Sequence, residues 1–495
     1  MISRREITKI GLVGVLVLGC WTIGINAFGQ APKSPTCRAF FCNELPFPRF
    51  AQKVRNAGEI KSILDQATTE ASGSHRITTQ LRTFLEQHAD FYEITMERAL
   101  QQILPGEKTE IWGYNDRPGV PGFTAITPGP TIATTRMHPV VIRFTNKLST
   151  PTEPVETTVH YHGGHTPPSS DGYPSDKFPS ANFPSNSRVF LYPMTLTRGA
   201  TQWYHDHAVD VTGRNVYMGL AGFLLVDPAD SSMVPDMMPT ADNDEREMLR
   251  TRIPGCANIL TTGCNKRFDI PLVIQDRVFG VKGGKANQLI YNPFDFDGVI
   301  GDTFLVNGAN QPFMEVERRK YLLRFLNGSN ARVYQFGFSE DPKRLTHPLE
   351  IMEMATEGGA MPKATLLAMA ERAEMIFDFA QVAVGSDVFL VNCLQQTEGR
   401  RPDDFTPNAC TPLLRFHVGP KGTEADPPVA TNDGDTMLPL RNDPARHIEE
   451  VNSPQDAVAT REFKFERSHG EWAVNGELFQ AHVITRDGED REARP

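Results

Sequence analysis

The stretch that decides the fold runs from residue 157 to residue 162 and reads Thr157-Thr158-Val159-His160-Tyr161-His162. Its β-branched and aromatic residues predict a strand, and side chains two residues apart on a strand point to the same face of a sheet. Similar short runs precede and follow it, separated by turns rich in proline, glycine and asparagine. This pattern is typical of an all-β protein built from β-sandwiches.

The runs form two series, which predict two sandwiches. The first sandwich is expected in residues 91–230 and the second in residues 265–419, each followed by a turn-rich linker, at 231–264 and 420–460. Residues 461–495 predict about two further strands, too few for a third core. Residues 31–90 predict a leader segment that packs against the first sandwich, with helical periodicity at 54–67 and 78–88.

The composition excludes several classes of function. Hydrophobic residues make up 39% of the chain and charged residues 22%, with a mean hydropathy of −0.35. Such a chain can bury large cores, and it is neither disordered nor built of membrane spans. The formal net charge of −10 leaves no basic face for phosphates, so we expect no nucleic-acid partner.

Residues 1–30 have the parts of an export signal, namely a basic start, an apolar run and small residues near its end. Residues 3–9 resemble a twin-arginine signal, which implies export of a folded protein, although a general secretory signal or a lipoprotein site at Cys20 remains an alternative. We therefore expect a periplasmic or extracellular protein with no stable membrane span after signal removal.

Six cysteines remain after the signal, in three local pairs. An even number suits disulfides in an oxidising compartment, although unpaired buried thiols are an alternative for any pair. The pairs are Cys37 with Cys42, Cys256 with Cys264, and Cys393 with Cys410.

Two pairs of histidines, each with one residue between, are the candidate metal ligands. They are His160 with His162 and His205 with His207. Each pair can present two imidazoles to one cavity, and two neighbouring strands would bring four together. Neutral imidazole suits copper, zinc, iron and nickel. Ordinary histidines satisfied by hydrogen bonds in a sheet are the alternative.

The chain resembles the multicopper oxidases, in the branch of laccases, bilirubin oxidases and spore-coat oxidases. The resemblance covers roughly residues 91–477, and its most specific motifs are His160-Tyr161-His162-Gly163-Gly164-His165 and Trp203-Tyr204-His205-Asp206-His207. It implies tandem cupredoxin-like Greek-key sandwiches. It also implies that the chain couples one-electron oxidation of phenols, amines or metal ions to reduction of dioxygen.

The resemblance implies a role for each motif residue. His160 would bind the type 2 copper of a trinuclear cluster, and His162, His205 and His207 would bind the type 3 pair. Asp171 matches the acidic residue beside the cluster that is thought to help deliver protons, although a turn residue in Ser-Asp-Gly is the alternative. Asp206 is expected to accept hydrogen bonds rather than to bind metal.

The sequence departs from the family in its third domain. It contains no His-Cys-His triplet and no His-Pro-x-His-x-His motif. The chain therefore holds half of the cluster's histidines and encodes no blue-copper site, and we interpret it as a truncated product with impaired oxidase activity. A cell-envelope scaffold of cupredoxin fold, with or without copper, is the main alternative. A zinc hydrolase is a weaker one, because Gly164 stands where such a site needs an acidic residue.

Overall fold

The computed structural model describes residues 41–423 and parts of the segment 462–492. In the first range it leaves out 42, 48, 71–76, 180–184, 196–198, 228–267, 296, 347 and 357–365; in the second it covers 462–468, 471–478, 482–484 and 490–492. The predicted export signal and the first linker therefore lie outside the described part, as do residues 424–460 of the second linker. The cysteine pairs Cys37 with Cys42 and Cys256 with Cys264 also lie outside it. Within the described residues, no helix combines the length and the apolar character needed to cross a bilayer.

The first sandwich consists of two four-stranded sheets. Its strands are β1 (Asp90–Gln101), β2 (Thr109–Asn115), β3 (Gly129–Thr135), β4 (Val140–Asn146), β5 (Val159–His162), β6 (Ser187–Tyr192), β7 (Ala200–Asp206) and β8 (Ala221–Asp227). One sheet has the order β2-β1-β4-β6 and the other β3-β8-β7-β5. Alternate apolar side chains of both sheets, among them Ile94, Phe144 and Leu224, form one core.

The second sandwich pairs a six-stranded sheet with a five-stranded one. Its strands are β9 (Asp269–Arg277), β10 (Phe279–Lys282), β11 (Lys285–Leu289), β12 (Thr303–Val306), β13 (Ala309–Asn310), β14 (Phe313–Glu317), β15 (Lys320–Asn327), β16 (Tyr334–Ser339), β17 (Ile351–Thr356), β18 (Leu366–Leu367), β19 (Arg372–Asp378), β20 (Asp387–Asn392) and β21 (Thr411–Gly419). The sheet orders are β13-β12-β9-β15-β19-β17 and β14-β21-β20-β16-β18, and β10 and β11 form a separate hairpin. The prediction of an all-β fold is confirmed.

The leader contacts both sandwiches. It contains helices α1 (Ala57–Glu70) and α2 (Thr79–His88), which pack on the first sandwich. Before them, Phe50 bridges to Thr131 on the edge strand β3. Leu45, however, is buried in the core of the second sandwich, and its amide donates to the carbonyl of Phe313 on the edge strand β14. The segment thus packs against the first sandwich and also contacts the second, and it covers an exposed strand edge of each.

The segment after residue 461 has more strands than we expected. They are β22 (Phe465–Ser468), β23 (Glu471–Val474), β24 (Glu477–Leu478), β25 (His482–Ile484) and β26 (Asp490–Glu492). The turn between β23 and β24 is Asn475-Gly476, and both residues have positive φ. That dipeptide is a strong hairpin signal and accounts for the pairing of β23 with β24. The expectation of about two strands was therefore too low. A further short helix, α3 (Thr212–Met218), was also not predicted.

A disulfide joins Cys393 to Cys410, as the local pairing predicted. It ties the segment after β20 to the start of β21, next to Phe389 and Val391. The bond closes a loop with a sequence separation of 17 residues.

Replacing both cysteines with alanine should lower the free energy of unfolding by about 3 kcal/mol, because the open chain gains entropy on unfolding. Urea denaturation, with and without a reductant, checks this. The reduced wild type should match the double variant, and a reductant should leave the double variant unchanged. A loss below about 1 kcal/mol would contradict the expectation.

Candidate metal centre

Strands β5 and β7 bring the two histidine pairs together. They pair antiparallel, with His160 opposite His205 and His162 opposite Trp203. His207 follows the end of β7, and its amide donates to the carbonyl of Thr158. The expectation that the two pairs lie on neighbouring strands is confirmed.

The four imidazoles form one cluster. Ring centroids lie 5.4 Å apart between His160 and His162, and 5.5 Å apart between His160 and His205. His207 lies 4.7 Å from His160 and 5.5 Å from His205 by the same measure. Possible ligand atoms of His160, His162 and His205 all lie within 4.8 Å of one another. Three imidazoles therefore converge closely enough for a shared ion, and the fourth stands beside them.

Hydrogen bonds to carbonyl oxygens define which ring nitrogens are free. Nδ1 of His160 lies 2.5 Å from the carbonyl oxygen of Asp171, and Nδ1 of His205 lies 2.7 Å from that of Asp206. A carbonyl only accepts, so both rings carry their proton on Nδ1 and expose the lone pair of Nε2. Nδ1 of His162 lies 3.1 Å from Nε2 of His205. Two nitrogens at this separation can both contact one ion at about 2.0 Å, so the donor set fits a copper or zinc ion.

Burial lowers the pKa of His162, His205 and His207 and so favours their neutral form, which is the form that binds metal. It lowers the pKa of His162 to about 3, with a further contribution from the positive charge of Arg372. It also holds the pKa of the fully buried His205 well below its usual value and lowers that of His207.

Two neighbouring side chains hold the cluster from β7. The indole of Trp203 stacks on the rings of His162 and His205, at centroid distances of 5.1 and 4.1 Å. The carboxylate of Asp206 is buried and accepts hydrogen bonds from the amides of Thr158 and Ala208, at 3.1 and 3.2 Å, and from an asparagine side chain. Its burial raises the pKa of Asp206 to about 7. Asp206 thus ties β7 to β5, as expected of an acceptor rather than a ligand.

Asp171 contacts the cluster through its backbone. Its carbonyl accepts from His160, whereas its carboxylate lies 3.7 Å from the same ring nitrogen. The carboxylate accepts a hydrogen bond from Thr166 at 3.0 Å and is partly exposed. Asp171 therefore orients His160 directly, and its predicted role in proton delivery stays a prediction.

The glycine after Asp171 allows this contact. Gly172 has φ +73°, and a Cβ there would lie 2.1 Å from the carbonyl oxygen of Val159 on β5. Only glycine fits such a close approach in the left-handed region.

Replacing Gly172 with alanine should cost on the order of 3 kcal/mol in free energy of unfolding, from backbone strain and overpacking against β5. The matched control is Gly122→Ala, at φ +84° with open space around the added methyl group, where we expect only about 1 kcal/mol. Thermal and urea unfolding of both variants provide the measurement. Equal losses of free energy of unfolding in the two variants would show that β5 moves away from the added methyl group at no energetic cost, which would contradict the expectation.

Two further residues near the cluster escaped the sequence analysis. Gln202 on β7 and Arg372 on β19 are buried and joined by a hydrogen bond of 3.0 Å. They are 170 residues apart in sequence. No local pattern distinguishes Arg372 from other arginines, so only the packing of the two sandwiches identifies it.

The sandwiches and the histidine cluster define the chain as an all-β protein of cupredoxin fold with a candidate copper centre. Residues 97–231 match the family model described as multicopper oxidase. The laccase of Bacillus subtilis (strain 168) is 32% identical over 366 residues, which cover 66% of this chain and 61% of that protein. The cell division protein FtsP of Sodalis glossinidius (strain morsitans) is 30% identical over 293 residues, 58% of this chain and 50% of that protein.

Solved structures agree on the fold. The 2F4 variant of the McoA multicopper oxidase from Aquifex aeolicus superimposes with a TM-score of 0.56 at 21% identity, covering 88% of this chain and 74% of that one. The chain is thus similar to multicopper oxidases over residues 97–231 and over the 366 residues aligned with the Bacillus laccase. It spans about three fifths of the length of the Bacillus laccase.

Proposed function

We propose that the chain is a copper-binding oxidoreductase of the multicopper oxidase type, with phenols, amines or metal ions as electron donors and dioxygen as acceptor. One observation carries the proposal: the possible ligand atoms of His160, His162 and His205 lie within 4.8 Å of one another, with His205 buried and the other two half-buried. The position of His207 beside them supports a four-histidine half of a copper cluster.

The residues of this chain would hold and orient the copper. Nε2 of His160 and Nε2 of His205 are the free donors of those rings, and the backbone carbonyls of Asp171 and Asp206 fix their orientation. Trp203 covers two of the rings and excludes water from that side. Bound copper supplies one-electron redox chemistry, which lets donors that give single electrons reduce dioxygen, an acceptor of four.

The 495 residues contain no His-Cys-His triplet, so we expect this chain by itself to bind copper but to oxidise donors slowly or not at all. The experiment is metal analysis of the chain reconstituted with copper, combined with oxygen uptake in the presence of a one-electron dye. At least one equivalent of bound copper supports the proposal. Less than one equivalent overturns it and favours the alternative, a copper-free scaffold of cupredoxin fold in the cell envelope.

Zinc-dependent hydrolysis without oxygen uptake would also overturn the proposal. The same histidines suit zinc, so the preparation is assayed with each metal separately.

Export by a twin-arginine signal is part of the proposal, and the location of a tagged full-length chain after mutation of Arg4 and Arg5 to lysine tests it. Retention in the cytoplasm is the expected result.

A further inference from the structure

The first residues of β7 pair with β8 and extend past the end of β5. The ladder between β5 and β7 stops where His162 faces Trp203, and β7 continues beyond that point to Ala200. Arg372 of the second sandwich contacts these residues. Its Nε donates to the carbonyl of Thr201 at 3.1 Å, and its Nη2 donates to Oε1 of Gln202 at 3.0 Å.

The third hydrogen bond of Arg372 anchors it to its own sandwich. Nη1 donates to the carbonyl of Ala370 at 2.8 Å, and the side chain is only 2% exposed. The guanidinium is therefore a fixed fork between the two sandwiches, a geometry that a lysine ammonium does not reproduce.

Gln202 transmits this contact to the histidine motif. Gly163, the residue after His162, has φ +89° and lies directly against the amide of Gln202. A Cβ at Gly163 would lie 1.9 Å from Oε1 of Gln202 and 2.9 Å from Nη2 of Arg372. The turn that ends β5 therefore packs on the pair formed by Gln202 and Arg372, and its position determines where the His162 ring points.

We propose that Arg372 is a positioning residue for the metal site: through Gln202 it holds the backbone that aims His162 at the other histidines. This inference rests on the proposed function, since it assumes that these histidines bind copper. Positioning and charge have opposite consequences here. A buried positive charge near the site opposes binding of a cation, so its removal alone would tighten copper binding. Loss of positioning loosens it.

The test measures binding of copper(II) alone to the full-length apoprotein by competition with a chromogenic chelator. Arg372→Met removes the fork and the charge, whereas Arg372→Lys removes the fork and keeps the charge. We expect both to bind copper about ten- to one-hundredfold more weakly, with altered hyperfine splitting in the electron paramagnetic resonance spectrum. Gln202→Ala, which keeps Arg372, should weaken binding in the same way. Arg143→Met, a control on the opposite sheet, should match the wild type.

The outcomes separate the possible roles of Arg372. Tighter binding by Arg372→Met, with unchanged binding by Arg372→Lys, would overturn the proposal in favour of a charge effect. Unchanged affinity and spectrum in both variants, with a lower free energy of unfolding, would overturn it in favour of a purely structural role.

A readout without copper keeps this inference distinct from the proposed function. Imidazole nitrogen signals of apoprotein labelled at histidine should shift for His162 in Arg372→Lys. If they do not shift, the positioning role is wrong. If the wild type fails to bind copper while the signals do shift, the proposed function fails and the positioning of His162 stands.

Discussion

Replacing His205 with alanine should lower the affinity of the apoprotein for copper(II) by more than a hundredfold. His205 is buried and directly opposite His160, and its free Nε2 lies 3.1 Å from Nδ1 of His162. Loss of residues that merely orient metal ligands typically costs ten- to one-hundredfold in affinity, so loss of a central ligand should exceed that range. Titration of the full-length chain with copper(II) and a competing chelator measures the change.

The control for this variant is His165→Ala. His165 belongs to the same motif, but it is exposed, and its Nδ1 lies 3.3 Å from the carbonyl oxygen of Thr195. We expect copper affinity within about twofold of the wild type, given that His165 is not in the convergent group. Equal affinities of the wild type and His205→Ala would refute the assignment of the copper site to this cluster.

Replacing Arg324 with methionine should lower the free energy of unfolding by about 3–5 kcal/mol, because buried carboxylates lose the cation that pairs with them. The Arg324 guanidinium donates to both oxygens of Asp269, at 2.7 and 3.1 Å, and to Glu374 at 2.9 Å. It also donates to the hydroxyl of Thr201 in the first sandwich, at 3.2 Å. Its removal takes the cation away from Asp269 and Glu374, and from Asp227 of the first sandwich at 3.8 Å.

Urea unfolding of Arg324→Met measures this loss of stability, and two further variants serve as controls. Arg324→Lys retains the charge and should lose less. Lys61→Met breaks an exposed ion pair with Asp65, and we expect a far smaller change in the free energy of unfolding. If Arg324→Met and Lys61→Met were equally stable, the buried ion pairs of Arg324 would contribute nothing to the packing of the two sandwiches against each other.

The strands were largely predictable, because their signals are local. The run 157–162 and the run 270–276 overlap β5 and β9, and both runs are rich in β-branched residues, which favour strands. Helix α2 was predicted from its periodicity, and Thr78 caps it with a hydrogen bond to the amide of Leu81 at 3.1 Å. Helix α3 escaped prediction, since its seven residues are too few to show a period.

The candidate site was predictable in its ligands and not in its supports. The spacing of His160 and His162 places both rings on one face of a strand, whatever the rest of the chain does. The groups that orient those rings have no comparable signal in the sequence. His160 is fixed by a backbone carbonyl, which carries no side-chain signature, and Gln202 is fixed by an arginine of the second sandwich.

The sequence alone determined that this is an all-β chain carrying two pairs of imidazoles, each pair on one face of a strand, because strand propensity and the two-residue period are properties of adjacent residues. Only the tertiary structure decided that β5 lies beside β7, that the four rings form one cluster and that Arg372 contacts Gln202. Pairing between distant strands depends on how whole sheets pack and on which backbone groups are left unpaired. The packing of the sheets and the set of unpaired backbone groups are defined only once the sandwiches have formed.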